Sequence, residues 1–122
     1  MVELIDDMPA GTIGFRADGE VSDEDYEKVL GPAVRKAVEE GGVRLLLVAP
    51  PGYGSTEVAE VAKRVQSLPG LGHRTDWKRV AVTTDSGLLR RTARIWAAVV
   101  PVETRVFKPE EEQAARAWLL ED

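Results

Sequence analysis

The chain has no cysteine, one histidine and no long apolar run. Without cysteine it can form no disulfide, thiolate metal site or thiol nucleophile, and His73 alone cannot build a zinc site. The longest apolar stretch, 95–102, includes Pro101 and is far shorter than the roughly 20 residues of a membrane span. Met1 is not followed by a basic region and then an apolar region, so no signal peptide is predicted. We expect a cytoplasmic protein with no metal and no cofactor.

Positive charge is also scarce relative to negative charge. Sixteen Lys and Arg face 21 Asp and Glu, a net charge of -5, which argues against nucleic acid as the partner. The carboxylates are scattered, and no Asp-x-Asp-x-Asp series is present, so a solvated charged surface is favoured over a metal site or an acid–base pair. With 43% hydrophobic and 30% charged residues, the 122-residue chain has the composition of one globular domain, predicted to span 1–122.

Strand and helix patterns alternate along the chain, which is typical of an α/β domain. Period-two or continuous apolar patterns predict strands, and three- and four-residue apolar steps predict helices. The order is ββαβαβαβα, a small mixed sheet of five strands with four helices. The strands are predicted at 2–5, 13–21, 43–49, 79–84 and 103–107, and the helices at 22–40, 55–68, 86–100 and 109–119. The first two strands form a hairpin, and right-handed crossovers make the later strands parallel.

Local signals mark the boundaries of these elements. Ser22 with Asp25 predicts a capping box, and Gly41-Gly42 predicts the end of the first helix. Gly31-Pro32 predicts a kink within that helix, because proline removes a helical hydrogen bond. The stretch 69–78 is predicted to be irregular, and 43–49 to be a central strand covered on both sides.

Several strings resemble the SpoIIAA-like family, relatives of the STAS domain of anti-sigma-factor antagonists. They extend over nearly the whole chain and comprise Glu3–Asp6, Gly14–Gly19, Asp25–Leu30 with Pro32, Arg79–Val82 with Asp85, and Val106-Phe107. The resemblance implies a small sheet with βα units wound in one sense. It implies no enzyme activity.

The resemblance implies two kinds of function. STAS domains bind kinases or other regulators and are switched by phosphorylation of a serine where the central strand meets the next helix. Ser55 and Thr56 fall near that position, within Tyr53–Glu57, without the preceding Asp and following Gly of the family turn. The SpoIIAA-like branch is also similar in shape to lipid-binding CRAL-TRIO domains, which implies a small apolar ligand.

Ser55 has two interpretations from its own chemistry. Serine is a favoured helix N-cap, and that role alone accounts for its position. A phosphate on Ser55 or Thr56 would lie at a helix N-terminus, where free N–H groups and the helix dipole favour anions.

Enzyme interpretations fit the residues less well. Gly52-Tyr53-Gly54 precedes a predicted helix, but no Gly-Lys-Ser/Thr follows, so a nucleotide loop is not favoured. Ser55, His73 and Asp85 could form a hydrolase triad, but no Gly-x-Ser-x-Gly surrounds Ser55. We therefore expect no enzyme.

Two further clusters are candidate binding surfaces. Aromatic and leucine side chains could line one apolar pocket, with polar groups from Ser55, His73 and Asp85; its lining would be Tyr53, Leu68, Leu71, Trp77 and Trp96. Arg90, Arg91 and Arg94 form a basic arc on a helix, a candidate docking face for an acidic partner or an anionic membrane surface.

Two hypotheses follow from the sequence. The first is a non-enzymatic STAS-like module that binds a regulatory protein. The second is a carrier or sensor of a small hydrophobic ligand, with peripheral membrane contact. If helices cover only one face of the sheet, a homodimer would cover the other.

Overall fold

A five-stranded mixed sheet forms the centre of the molecule. The computed structural model describes residues 2–17, 22–49, 77–85, 87 and 103–121. Its strands are β1 (Val2–Leu4), β2 (Ile13–Ala17), β3 (Val43–Val48), β4 (Trp77–Thr83) and β5 (Thr104–Phe107). They lie side by side in chain order. β1 is antiparallel to β2, and the remaining pairs are parallel, which confirms the predicted hairpin and mixed sheet.

Two helical segments are present among the described residues. The first consists of α1 (Asp23–Asp25), a π-helical turn (Tyr26–Leu30) and α2 (Gly31–Glu39). The second is a 3₁₀ turn (Pro109–Glu111) followed by α3 (Glu112–Leu119). Four helices were expected, and those predicted at 55–68 and 86–100 lie outside the described residues except for Gly87. The full element order therefore stays a prediction.

The capping box at the start of the first helical segment is confirmed. The Ser22 hydroxyl accepts a hydrogen bond from the Asp25 N–H at 3.2 Å, and the Asp25 carboxylate accepts one from the Ser22 N–H at 3.0 Å. These bonds satisfy two amides that a helix N-terminus leaves without partners. The hydrogen bond from the Ser22 backbone also lowers the pKa of Asp25 below its ordinary value.

The interruption predicted at Gly31-Pro32 takes the form of the π-helical turn. The Gly31 N–H donates to the Tyr26 carbonyl, five residues earlier, and Pro32 then lies in the first turn of α2, where no N–H is needed. A Cβ at Gly31 would be 3.0 Å from the Tyr26 oxygen, so glycine permits this close approach. The segment ends as predicted, with the Gly42 N–H bonded to the Ala37 carbonyl at 3.0 Å and a positive φ of 134° at Gly42.

Each face of the sheet packs against one of the helical segments. Alternate residues of β3 point to opposite sides, so Leu45 and Leu47 pack with the first helical segment and Leu46 packs with α3. The first face contributes a larger cluster that includes Phe15, Leu30 and Val34. The prediction of a central strand covered on both sides is confirmed. The condition under which a homodimer was expected, helices on one face only, is not met.

Strand β4 begins earlier than predicted. Val43 pairs with Trp77 but Arg44 pairs with Arg79, so Lys78 is an extra residue in a bulge. The bulge keeps Trp77 in the ladder and in the first-face cluster. The assignment of 69–78 as irregular is therefore wrong for its last two residues.

Candidate functional site

The carboxyl ends of β3, β4 and β5 meet at one edge of the sheet. The Ala49 N–H donates to the Thr83 carbonyl at 2.9 Å, and the Thr84 N–H donates to the Phe107 carbonyl at 3.0 Å. Both threonines are buried, whereas Asp85, directly after them, is exposed. Ligands of open α/β sheets bind at this edge, and Asp85 offers a carboxylate there.

The structure does not bring Trp77 and Asp85 together. Trp77 is the first residue of β4, is only 7% exposed and belongs to the first-face cluster. Asp85 follows the other end of the same strand, more than about 20 Å away at roughly 3.3 Å per residue. The predicted grouping of these two residues in one pocket is therefore corrected: Trp77 is a core residue at the amino edge, and Asp85 lies at the carboxyl edge.

The other predicted site residues lie outside the described residues. These are Tyr53, Ser55, Thr56, Leu68, Leu71, His73, Arg90, Arg91, Arg94 and Trp96. Their proposed roles as phosphate acceptor, pocket lining and basic docking face stay predictions. Within the described ranges, no group of three or more His, Asp or Glu side chains could hold a metal ion. The helices of those ranges include none with the length and apolarity to cross a membrane.

A row of arginines crosses the second face of the sheet, which carries Leu46, Ala81 and Phe107. Each of the four parallel strands contributes one arginine at a second-face position: Arg16, Arg44, Arg79 and Arg105. We call these four arginines with the three apolar residues the arginine face. α3 lies on it through Ala115, Trp118 and Leu119, which are buried against the apolar residues.

Two arginines hold the carboxyl end of α3. Arg44 donates to the Leu119 carbonyl and, at 3.1 Å, to the Glu121 carbonyl. Arg79 donates to the Trp118 carbonyl at 2.7 Å, and its guanidinium lies 4.8 Å from the centre of the Trp118 ring. The last carbonyls of a helix have no partner within the helix, and the negative end of the helix dipole favours cations. Two guanidinium groups therefore match this helix end in both hydrogen bonding and charge.

The amino end of α3 carries the opposite charge. Glu112 lies 3.7 Å from Arg16 of the sheet and 2.9 Å from Arg116, one turn later in the helix. Arg116 is 7% exposed and also donates to the carbonyl and carboxylate oxygens of Asp7, at 3.1 and 3.3 Å, in the loop between β1 and β2. The hydrogen bond and positive charge of Arg116 lower the pKa of Asp7. An acid at the helix start and cations at its end complement the helix dipole.

The arginine face was not found from the sequence. The third strand is apolar apart from Arg44, and the last helix begins with Glu110, Glu111 and Glu112, but neither pattern predicts which part of the helix Arg44 meets. Arg44 donates to the Leu119 carbonyl, 75 positions later in the chain, and no local pattern specifies a contact over that separation. The sequence did contain a signal: each of the four strands carries one arginine at a position whose side chain points to the second face.

Chemically, the arginine face is suited to binding a helix. Its guanidinium groups donate to main-chain carbonyls at one end and pair with a carboxylate at the other. The apolar patch between them accepts an aromatic and an aliphatic side chain. In helix-in-groove complexes, too, an amphipathic helix lays its apolar side chains into an apolar surface.

Comparisons with known proteins agree on the family. The SpoIIAA-like family model matches residues 12–120. An uncharacterized protein from the DUF3478 family with a SpoIIAA-like fold, from Shewanella loihica PV-4, is similar in structure, with a TM-score of 0.63 and 24% identity over 97% of this chain and 93% of that chain. At this identity the likeness shows the fold. No curated protein matches the chain. The extent of the family match shows that the chain belongs to the SpoIIAA-like family.

Proposed function

We propose that this protein is a non-enzymatic, STAS-like regulatory module that acts by binding another protein. The observation that carries the proposal is the arginine face, a surface whose charges and apolar patch match a helix at both of its ends. Membership of the SpoIIAA-like family supports it, because the related STAS domains bind regulators.

Phosphorylation of Ser55 or Thr56 is the proposed switch. β3 is the central strand, and its end is tied to β4 through the Ala49–Thr83 hydrogen bond at the carboxyl edge. Ser55 follows Ala49 by six residues, so the chain keeps it within about 21 Å of that edge. A phosphate on either residue would add about two negative charges and change the charge that a partner meets.

Affinity capture from a lysate of the source organism tests the switch. The parent, Ser55→Asp, Ser55→Ala and the control Ser67→Asp are compared as bait. We expect one captured protein to be retained in equal amount by the parent, Ser55→Ala and Ser67→Asp. The amount retained by Ser55→Asp should differ from that amount at least fivefold. The same retained proteins with all four baits would contradict the switch.

Native mass spectrometry of the protein purified from that organism separates this proposal from the carrier alternative. A phosphate on Ser55 or Thr56 supports the regulatory module. An acyl-sized mass that is lost on denaturation supports a carrier of a hydrophobic ligand instead. The burial of Trp77 among core residues favours the regulatory module, because that side chain is the described member of the predicted pocket lining.

A further inference from the structure

The hydrogen bonds between α3 and the arginine face are made to main-chain carbonyl groups, which every helix possesses. Arg44 and Arg79 donate to the carbonyl oxygens of Trp118, Leu119 and Glu121, not to side chains. Arg16 pairs with a carboxylate in the first helical turn. The face therefore recognises the polarity of a helix, with an acid at its start and an apolar side near its end, where the Trp118 ring meets the Arg79 guanidinium and the Phe107 ring.

The stability of α3 depends on its contacts with the rest of the domain. It is eight residues long, too short to be stable as an isolated helix, so its order depends on docking. Three apolar side chains are buried on that side of it: Ala115, Trp118 and Leu119. The conformational entropy of eight residues opposes this burial, and binding of another helix at the face requires α3 to open without global unfolding.

We infer that the arginine face is the partner-binding surface and that α3 occupies it in the resting protein as an internal competitor. The partner is a protein segment that forms an amphipathic helix with Asp or Glu in its first turn and Trp or Leu in its last. Charge complementarity selects this occupant, since the face presents Arg16 at one end and Arg44 with Arg79 at the other. The inference deepens the proposed function and rests on it for the existence of a partner. Binding requires that α3 leaves.

Hydrogen exchange of the full chain tests the release of α3. Ala114 and Ala117 are exposed, so Ala114→Gly/Ala117→Gly lowers helix propensity without changing the contact with the sheet. We expect the amides of 115–119 to exchange at least tenfold faster than those of 45–47 in the parent, and roughly tenfold faster again in the glycine variant. Lys36→Gly/Glu39→Gly, at exposed positions of α2, is the matched control and leaves the exchange of 115–119 unchanged. Equal exchange rates in 115–119 and 45–47 of the parent would overturn the inference.

A peptide probe tests the face itself. The fluorescein-labelled peptide of residues 108–121 is titrated with the parent and with Ala114→Gly/Ala117→Gly. We expect the peptide to bind the glycine variant about tenfold more tightly than the parent. This binding should be lost when Arg44→Gln/Arg79→Gln is added to the glycine variant. It should also be lost when the peptide carries Trp118→Ala. The changed peptide leaves the protein intact, so this arm does not depend on how the arginine variant folds. Equal binding by parent and glycine variant, or equal binding of both peptides, would overturn the inference. Neither measurement needs the natural partner. A negative result here would therefore reject the release of α3 from the arginine face, whereas a negative result in the lysate capture would reject the proposed switch.

Discussion

Arg44 is the one charged side chain of β3, and its position has a structural reason. The central strand of a covered sheet is otherwise apolar, and a buried guanidinium without partners is unfavourable. Here Arg44 meets the last carbonyls of α3, which also need partners. The Arg44 guanidinium and these carbonyls therefore supply each other's hydrogen-bond partners between the sheet and α3.

Arg44→Met removes these hydrogen bonds while keeping much of the apolar stem. We expect a loss of about 1–3 kcal/mol in the free energy of unfolding, because the carbonyls of Leu119 and Glu121 lose their donor. Urea unfolding followed by tryptophan fluorescence measures it. Arg105→Met is the control, since Arg105 is exposed and lies 5.2 Å from the Phe107 ring, and it should cost less than about 1 kcal/mol. Equal losses in the two variants would contradict the role of Arg44.

Asp7 makes the stability depend on pH. The hydrogen bond and charge of Arg116 lower the pKa of Asp7 in the folded protein from 3.8. The contribution of Asp7 to the free energy of unfolding is therefore present above the pKa of the unfolded state and is lost as the pH falls through the pKa of the folded state. Asp7→Asn should therefore lower stability at pH 7 and flatten the fall of stability below about pH 4. Urea unfolding of both proteins between pH 7 and pH 2.5 measures this. Parallel stability curves would contradict it.

At the scale of elements, local signals predicted the first helical segment closely. The capping box and the terminal glycines act within a few residues, so their outcome does not depend on the rest of the fold. The proline marked the interruption correctly, but its form as a π-helical turn depends on how Tyr26 and Gly31 approach each other. Propensity rules do not contain that geometry.

The N-cap gives a test at this scale. Ser22→Ala removes the side-chain acceptor for the Asp25 N–H and should destabilise the protein by about 1 kcal/mol, whereas Ser22→Gly should cost a few tenths. Thermal unfolding by circular dichroism compares the three proteins. A larger cost for glycine than for alanine would show that the cap does not act through its hydrogen bonds as described.

Features that depend on distant contacts were predicted less well. The bulge at Lys78 moved the start of β4 to Trp77, because the register is set by pairing with Val43 rather than by local sequence. The contact of Arg79 with Trp118 joins residues 39 positions apart, and nothing local specifies it. The arginine face followed from neither periodicity nor motif, since it forms only when four strands that are distant in sequence pair in one sheet.

At the scale of the whole molecule, the two faces of the sheet have different characters. The first face packs an extensive apolar cluster against the first helical segment. The second face mixes a small apolar patch with four arginines and is covered by the terminal helix of the described residues. This difference fits the proposed module, in which the first face keeps the domain folded while α3 leaves the second.

The most direct test of this account is competition between a captured partner and the chain's own helix. The complex retained by the parent protein is incubated with excess peptide of residues 108–121 and measured by native mass spectrometry. The account predicts loss of the partner from the complex, and no loss with the Trp118→Ala peptide at the same concentration. A complex that survives both peptides alike would contradict the claim that the arginine face binds the partner.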